Sequence, residues 1–252
     1  MLRPIVLFSG AVCVASWSGS VLPCKLSPRT SITMQVTEVA PTSVADNPMF
    51  LDEEAELAKA AFPISAPDLI LKAKEYLANG QGVDAPDMLA EDFEFMGPVV
   101  GPLTKDAYLK AVGGFKLPDA FPDFSPAFHH FRVDPFEGDR VWFTSRATGT
   151  DTGSGFLGNK PTGKSFETPP QTCSVKFNAE GKVVRYTIGY VNDRALGNTG
   201  GLGGIFGPAY ALGNGLPFRE AQPYKPSFRY KFFQQVGAFV TWLQDRQKKK
   251  DQ

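Results

Sequence analysis

The chain predicts an α+β domain in which helices cover one face of a curved antiparallel sheet. Two observations carry this: the hydrophobic period changes from near four to two at about residue 127, and hairpin chemistry joins the strand-like runs that follow. Helical spacing comes first. Ser65-Ala-Pro-Asp68 supplies an N-cap and a first turn, Leu69, Ala73, Tyr76 and Leu77 recur on one face, and Asn79-Gly80 ends the run. Met88 to Asp92 reads as a short helix leading into an extended piece, Phe93 to Val100. A further helix starts at Thr104, carries Ala107, Tyr108 and Ala111, and stops at Gly113-Gly114. Strand-like runs follow at Ala127 to Phe136, Val141 to Gly149, Phe166 to Phe177 and Val183 to Val191. Glu137-Gly138-Asp139 and Ala179 to Lys182 are hairpin connections, and Gly153 to Gly163 is a longer, glycine-rich crossing. A sheet curved around helices leaves a concave pocket.

With 252 residues, 42% hydrophobic and 12% aromatic, the chain can bury one sizeable core, so one domain plus extensions is expected. The formal net charge is zero, but residues 1–33 hold three bases (Arg3, Lys25, Arg29) and no acid, leaving 23 bases against 26 acids beyond them. A mildly acidic remainder argues against a nucleic-acid partner, which would call for a basic surface.

Residues 1–33 read as a bipartite targeting presequence. Arg3 precedes an apolar run, Ile5 to Trp17, too short to span a bilayer, which is the pattern of a signal peptide. Cleavage after Ser16 fits Val14 and Ser16, and Trp17 to Thr33 is then Ser/Thr-rich, basic and free of acids, like a transit peptide. A signal peptide followed by a transit peptide opening on an aromatic resembles the plastid presequence of algae with secondary plastids; plain secretion is the other reading. Cys13 and Cys24 fall in this presequence, which leaves Cys173 without an intrachain disulfide partner.

Residues 34–66 read as a linker with a short acidic helix, Asp52 to Ala61, residues 67–196 as the domain, and residues 197–225 as a glycine-rich flap or linker. Eight glycines between Gly197 and Gly215 are too many for a helix interior or a strand, and no phosphate-binding glycine spacing occurs there. Leu202, Ile205, Phe206, Tyr210 and Leu212 make an apolar tip expected near the pocket mouth. Residues 226–252 resume helical spacing, with Phe228, Phe232, Val236, Phe239, Val240 and Leu243 on one stripe and Lys248-Lys249-Lys250 beyond it. This amphipathic helix is expected either to dock its aromatic face on the domain or to contact a membrane surface or partner protein.

Several segments fall in order and in register over about 130 residues: Ala120-Phe-Pro-Asp-Phe124, Glu137-Gly-Asp-Arg-Val141, Arg146-Ala-Thr-Gly-Thr150, Gly155-Phe-Leu-Gly158 with Pro161-Thr-Gly-Lys164, and Phe177-Asn-Ala-Glu-Gly-Lys-Val-Val184. Together they resemble the SnoaL-like polyketide cyclase family within the nuclear transport factor 2-like superfamily. That resemblance implies a conical pocket for an apolar small molecule, cofactor-free and metal-free acid-base chemistry of the cyclase, isomerase or hydrolase kind, and dimerisation through the outer sheet face. It also implies an inward face made of Trp142, Thr144, Arg146 and Thr148, of Cys173, Val175 and Phe177, and of Tyr186, Ile188 and Tyr190. The same overlay places Gly97, Cys173 and Ala73 where the isomerases carry their base, acidic oxyanion donor and tyrosine, and Ile188 where the cyclases carry an acid.

The remaining candidates are polar. Arg146 on an inward face must meet a ligand or an ion-pair partner such as Glu167 or Asp193. Tyr186 and Tyr190 offer phenols to a carbonyl. His130 is a candidate base and Asp193 a candidate acid or a turn cap. His129 and His130, as strand neighbours, are expected on opposite faces, and no metal-ligand spacing is present. Two functions stay open: an enzyme in which Arg146 and a tyrosine polarise a carbonyl while His130 or Asp193 moves a proton, and a non-catalytic module that holds a hydrophobic ligand such as a carotenoid or lipid, or docks a partner.

Overall fold

The computed structural model describes residues 47–114 and 117–248, so the presequence and the first part of the linker lie outside the described residues. Asp52 accepts a hydrogen bond from the Ala55 amide and so caps a single acidic turn, α1 (Glu53–Leu57), shorter than its composition suggests. Leu57, Phe62 and Ile64 already pack on the core, so the folded region begins upstream of residue 67. Ser65 caps α2 (Ala66–Ala78), which ends at Asn79 as expected. Residues 86–88 make one tight turn, and β1 (Leu89–Met96) starts where a helix was expected to continue, because Leu89, Ala90 and Phe93 are drawn into the core in extended form. β2 (Leu103–Thr104) leads into α3 (Lys105–Gly113), and α4 (Leu117–Ala120) is one further turn.

The strands are β3 (His129–Val133), β4 (Arg140–Ser145), β5 (Thr148–Thr150), β6 (Ser165–Glu167), β7 (Gln171–Phe177) and β8 (Val183–Val191). Two long runs expected as single strands are each split. Pro169-Pro170 has no amide hydrogens to offer a ladder, so the chain leaves the main sheet there and β6 pairs with β5 in a separate two-stranded sheet. The main sheet has six strands in the order β2-β1-β8-β7-β4-β3, antiparallel throughout except for the parallel pair β1 and β8.

Two hydrophobic clusters result. The larger sets Leu69, Ala73, Tyr76 and Leu77 of α2 and Tyr108 of α3 against Val141, Phe143, Cys173, Val175, Phe177 and Tyr186 of the sheet. The smaller gathers Phe121, Phe156 and Phe166 with Ala209 and Leu212 of the glycine-rich segment, where α5 (Phe206–Ala211) forms. Phe121 meets the other two rings at centroid distances of 5.1 and 4.9 Å.

Between the helices and the sheet sits a set of buried phenols. The Tyr108 hydroxyl donates to the Gln81 carbonyl at 2.8 Å, the Tyr186 hydroxyl donates to Gln81 Oε1 at 2.9 Å, and the Tyr76 and Tyr108 hydroxyls are 3.3 Å apart. Gln81 presents both acceptors from a left-handed backbone, φ 59°. The side chain and main chain of one loop residue thus satisfy two phenols that burial would otherwise leave costly.

The inward face of β4 is out of phase with the expectation. Val141, Phe143 and Ser145 are buried on its inward face and pair across the ladder with Val175, Cys173 and Gln171, while Arg140, itself buried, shares the outer face with Trp142 and Thr144, which stand opposite Ser174 and Thr172. Trp142 instead donates its indole N–H to Asp134 at 2.6 Å. Period two permits only one set per face, and the buried β7 set of Cys173, Val175 and Phe177 fixes which one it is.

The C-terminal helix, α6 (Phe228–Lys248), does not dock its aromatic stripe on the domain. Phe228 is 83% exposed and Phe232 60%, and the other stripe residues are exposed as well.

The phase of β4 is testable by urea unfolding. Phe143→Ala, which empties a wholly buried site, should cost about 3–5 kcal/mol, whereas Thr144→Ala on the outer face should stay within about 0.5 kcal/mol.

Candidate functional site

A cavity of about 510 Å³ opens between the two hydrophobic clusters. On the side of the larger cluster its wall is Phe95, Leu103, Tyr108, Val112, Phe128 and Ile188; on the other side it is Leu117, Phe124, Ala147, Phe166 and Ile205. Residues 201–206 of the glycine-rich segment close one edge, held by a hydrogen bond from the Gly204 amide to Gln171 Oε1 at 2.9 Å. Gly203 permits that approach, since a Cβ there would lie 2.2 Å from the Gly189 carbonyl oxygen. The segment expected as a flap is therefore part of the wall, and its tip residues Leu202, Ile205 and Phe206 do reach the cavity.

Polar groups in the lining are few, and most are committed. Ser145 donates to the Pro126 carbonyl at 2.9 Å, and Thr168 accepts from the Ala147 amide at 2.8 Å. Tyr108 and the Gln81 carboxamide oxygen are held in the phenol set already described. The amide nitrogens of Gln81 and Gln171, the Tyr190 hydroxyl and the Glu220 carboxylate remain uncommitted among the described lining residues. Glu220 is the lone carboxylate of that lining, and no histidine, lysine or arginine belongs to it.

The sequence-derived candidates divide accordingly. Ile188 and Tyr190 line the cavity, Tyr190 with 42% of its surface exposed. Cys173, Val175, Phe177 and Tyr186 face inward but lie in the packed core beneath the cavity. Thr148 is exposed on β5, and Trp142 and Thr144 are on the outer face, for the reason given by the β4 ladder. Arg146 follows the last residue of β4, is 43% exposed and pairs with Glu167 at 2.5 Å, so it takes the ion-pair alternative and stays out of the lining. Asp193 lies beyond the end of β8 and accepts from the Ala195 amide at 2.9 Å, as a turn cap does.

His130 requires a correction. It adopts φ 57°, and the ladder slips between His129 and Arg132, so strict alternation fails at this point. The two imidazoles, expected on opposite faces, meet edge to face with centroids 4.5 Å apart. His130 is exposed and outside the cavity lining, and His129 Nδ1 lies 2.6 Å from the Ala127 carbonyl oxygen. No group of three or more metal-ligating side chains occurs among the described residues.

Sequence reasoning missed Gln81, Ser145, Thr168 and Gln171. Ser145 was within reach, because Val141, Phe143 and Ser145 share one phase of β4. Gln81 sits in a tight turn, and Thr168 and Gln171 flank Pro169-Pro170, where periodicity carries no signal.

No protein-family model and no curated protein matches the chain. Solved structures to which it is similar include AclR of Streptomyces galilaeus, at 18% identity and TM-score 0.43, covering 71% of this chain and 98% of that one. A steroid delta-isomerase of Pseudomonas aeruginosa follows at 14% identity and TM-score 0.37, covering 61% and 93%. An NTF2-like protein of Burkholderia thailandensis matches at 20% identity and TM-score 0.36, covering 50% and 90%. The chemistry of this cavity rests on its own residues.

Burial shifts the ionisable groups of the core in one direction. The Cys173 thiol is pushed up to about 12 from an ordinary 9.0, and the Tyr108 phenol to about 12 from 10.0. Tyr76 and Tyr186 are likewise raised well above the ordinary phenol range, chiefly by burial. Each group holds its proton more tightly folded than unfolded, so this stability is fully present below about pH 9 and is lost as pH rises through about 12. Chemical unfolding followed from pH 8 upward should show a falling midpoint across that window, and iodoacetamide with peptide mapping should leave Cys173 unmodified in the native chain.

Proposed function

We propose that this protein holds an apolar small molecule in the cavity, as a binding module without acid-base catalysis. The observation that supports this most is the lining itself: its wall is mostly hydrophobic, and among the described lining residues Glu220 is the single carboxylate and no imidazole accompanies it. A proton transfer of the cyclase or isomerase kind calls for a positioned acid or base of suitable pKa at the reacting atom. Gly97 borders the cavity, while Arg146, His130 and Asp193 lie outside it and are occupied or exposed. At about 510 Å³ the cavity falls within the roughly 300–1,000 Å³ span of small-molecule sites. The amide nitrogens of Gln81 and Gln171 and the Tyr190 hydroxyl suit a ligand that is mostly hydrocarbon with a carbonyl or hydroxyl group. Terpenoid, pigment and lipid molecules have that character.

Extraction and native mass spectrometry of the protein purified from its own cells should yield one apolar molecule per chain. Ile188→Trp, which fills the cavity, should weaken rebinding about tenfold or more, while Arg146→Met should leave it unchanged. Turnover of an apolar carbonyl or epoxide panel that is lost in Tyr190→Phe or Glu220→Gln would overturn the binding reading in favour of an enzyme.

We also propose a plastid as the site of action, on the composition of residues 1–33. A fluorescent fusion of residues 1–50 should accumulate in the plastid of a secondary-plastid alga; accumulation outside the cell would support secretion instead.

A further inference from the structure

Charge is divided unevenly along this chain. Residues 34–224 carry 16 bases against 24 acids, whereas residues 225–252 carry seven bases against two acids. A net of −8 therefore adjoins a segment of +5.

That basic segment contains α6, whose 21 residues span about 31 Å at 1.5 Å per residue. At 100° per residue Phe228, Phe232, Val236, Phe239, Val240 and Leu243 fall within one arc of about 120°, and Phe233 and Trp242 flank it. All eight are between 42% and 83% exposed, so no part of the domain covers them. Gln234, Gly237, Thr241 and Gln244 occupy the other side. Bases stand at both ends: Lys225, Arg229 and Lys231 before the stripe, Arg246 and Lys248-Lys249-Lys250 after it. Arg246 lies over the Trp242 ring at 4.9 Å.

We propose that α6 lies flat on the surface of an anionic bilayer, with its Phe and Trp side chains in the headgroup and acyl boundary and its basic ends on lipid phosphates. Several features favour this occupant. The helix cannot cross, since no described helix is long and apolar enough to do so. Five of the eight exposed apolar residues are aromatic, the composition of interfacial helices rather than of a Leu/Ile/Val seam. Pairing two copies of the segment 225–252 would set +5 against +5, whereas anionic lipid neutralises it. The acidic remainder is repelled by the same surface, so contact is confined to the helix.

Sedimentation of the full chain with vesicles tests this. The chain should associate with phosphatidylcholine vesicles containing phosphatidylglycerol, should bind about tenfold or more weakly to phosphatidylcholine alone, and should be released as salt rises. Phe232→Glu together with Phe239→Glu should abolish the association while leaving the urea midpoint and the cavity's ligand unchanged, because both side chains are exposed and neither lines the cavity. Vesicle binding retained by that double variant would assign it to another segment and overturn the proposal. Failure to bind anionic vesicles, or a dimer that the double variant dissolves, would also overturn it. Neither result bears on the cavity.

Discussion

The junction between helices and sheet depends on Gln81. Three wholly buried phenols from α2, α3 and β8 converge here, and two of them are satisfied by this one residue's carbonyl and carboxamide oxygens. An unpaired phenol there would cost on the order of 1–3 kcal/mol, a large share of a marginal stability. The left-handed turn that delivers Gln81 follows from the Asn79-Gly80 stop of α2, so the end of one helix sets the position of the next and of the sheet beneath both. Tyr76 and Tyr186 add an edge-to-face contact at 5.3 Å to the same junction. With these elements fixed, Phe95, Tyr108 and Ile188 form a wall instead of collapsing into the space above them.

Much of the architecture was legible in the sequence because it is carried by local chemistry. Ser65 as a cap, Asn79-Gly80 and Gly113-Gly114 as stops, and Glu137-Gly138-Asp139 as a hairpin turn all act within a few residues of themselves. What was not legible depends on partners distant in sequence. The phase of β4 is decided by β7 across the ladder, and a large aromatic at Trp142 imitates a core residue while serving Asp134 on the outer face. Pro169-Pro170 interrupts a run read as one strand, and the result, a second small sheet, depends on β5 being free to receive β6. At His130 a positive φ inside a strand overrode the alternation from which its direction had been read.

The site was the least legible part for the same reason. Charged and titratable side chains draw attention in a sequence, yet Arg146, His130 and Asp193 serve ion pairing, the surface and a turn. The cavity is made by residues with weak individual signals: a glutamine in a turn, another at the start of a strand, a serine at a strand end, and glycines that let two backbone segments touch.

The cavity is also a seam. It divides a core built by the six-stranded sheet from one built by Phe121, Phe156 and Phe166, and the two share few side chains apart from those that face each other across the gap. A hydrocarbon guest would join these halves into one continuous interior and act as mortar between them. Occupancy would then be coupled to cooperativity: the filled chain would melt more sharply than the empty one.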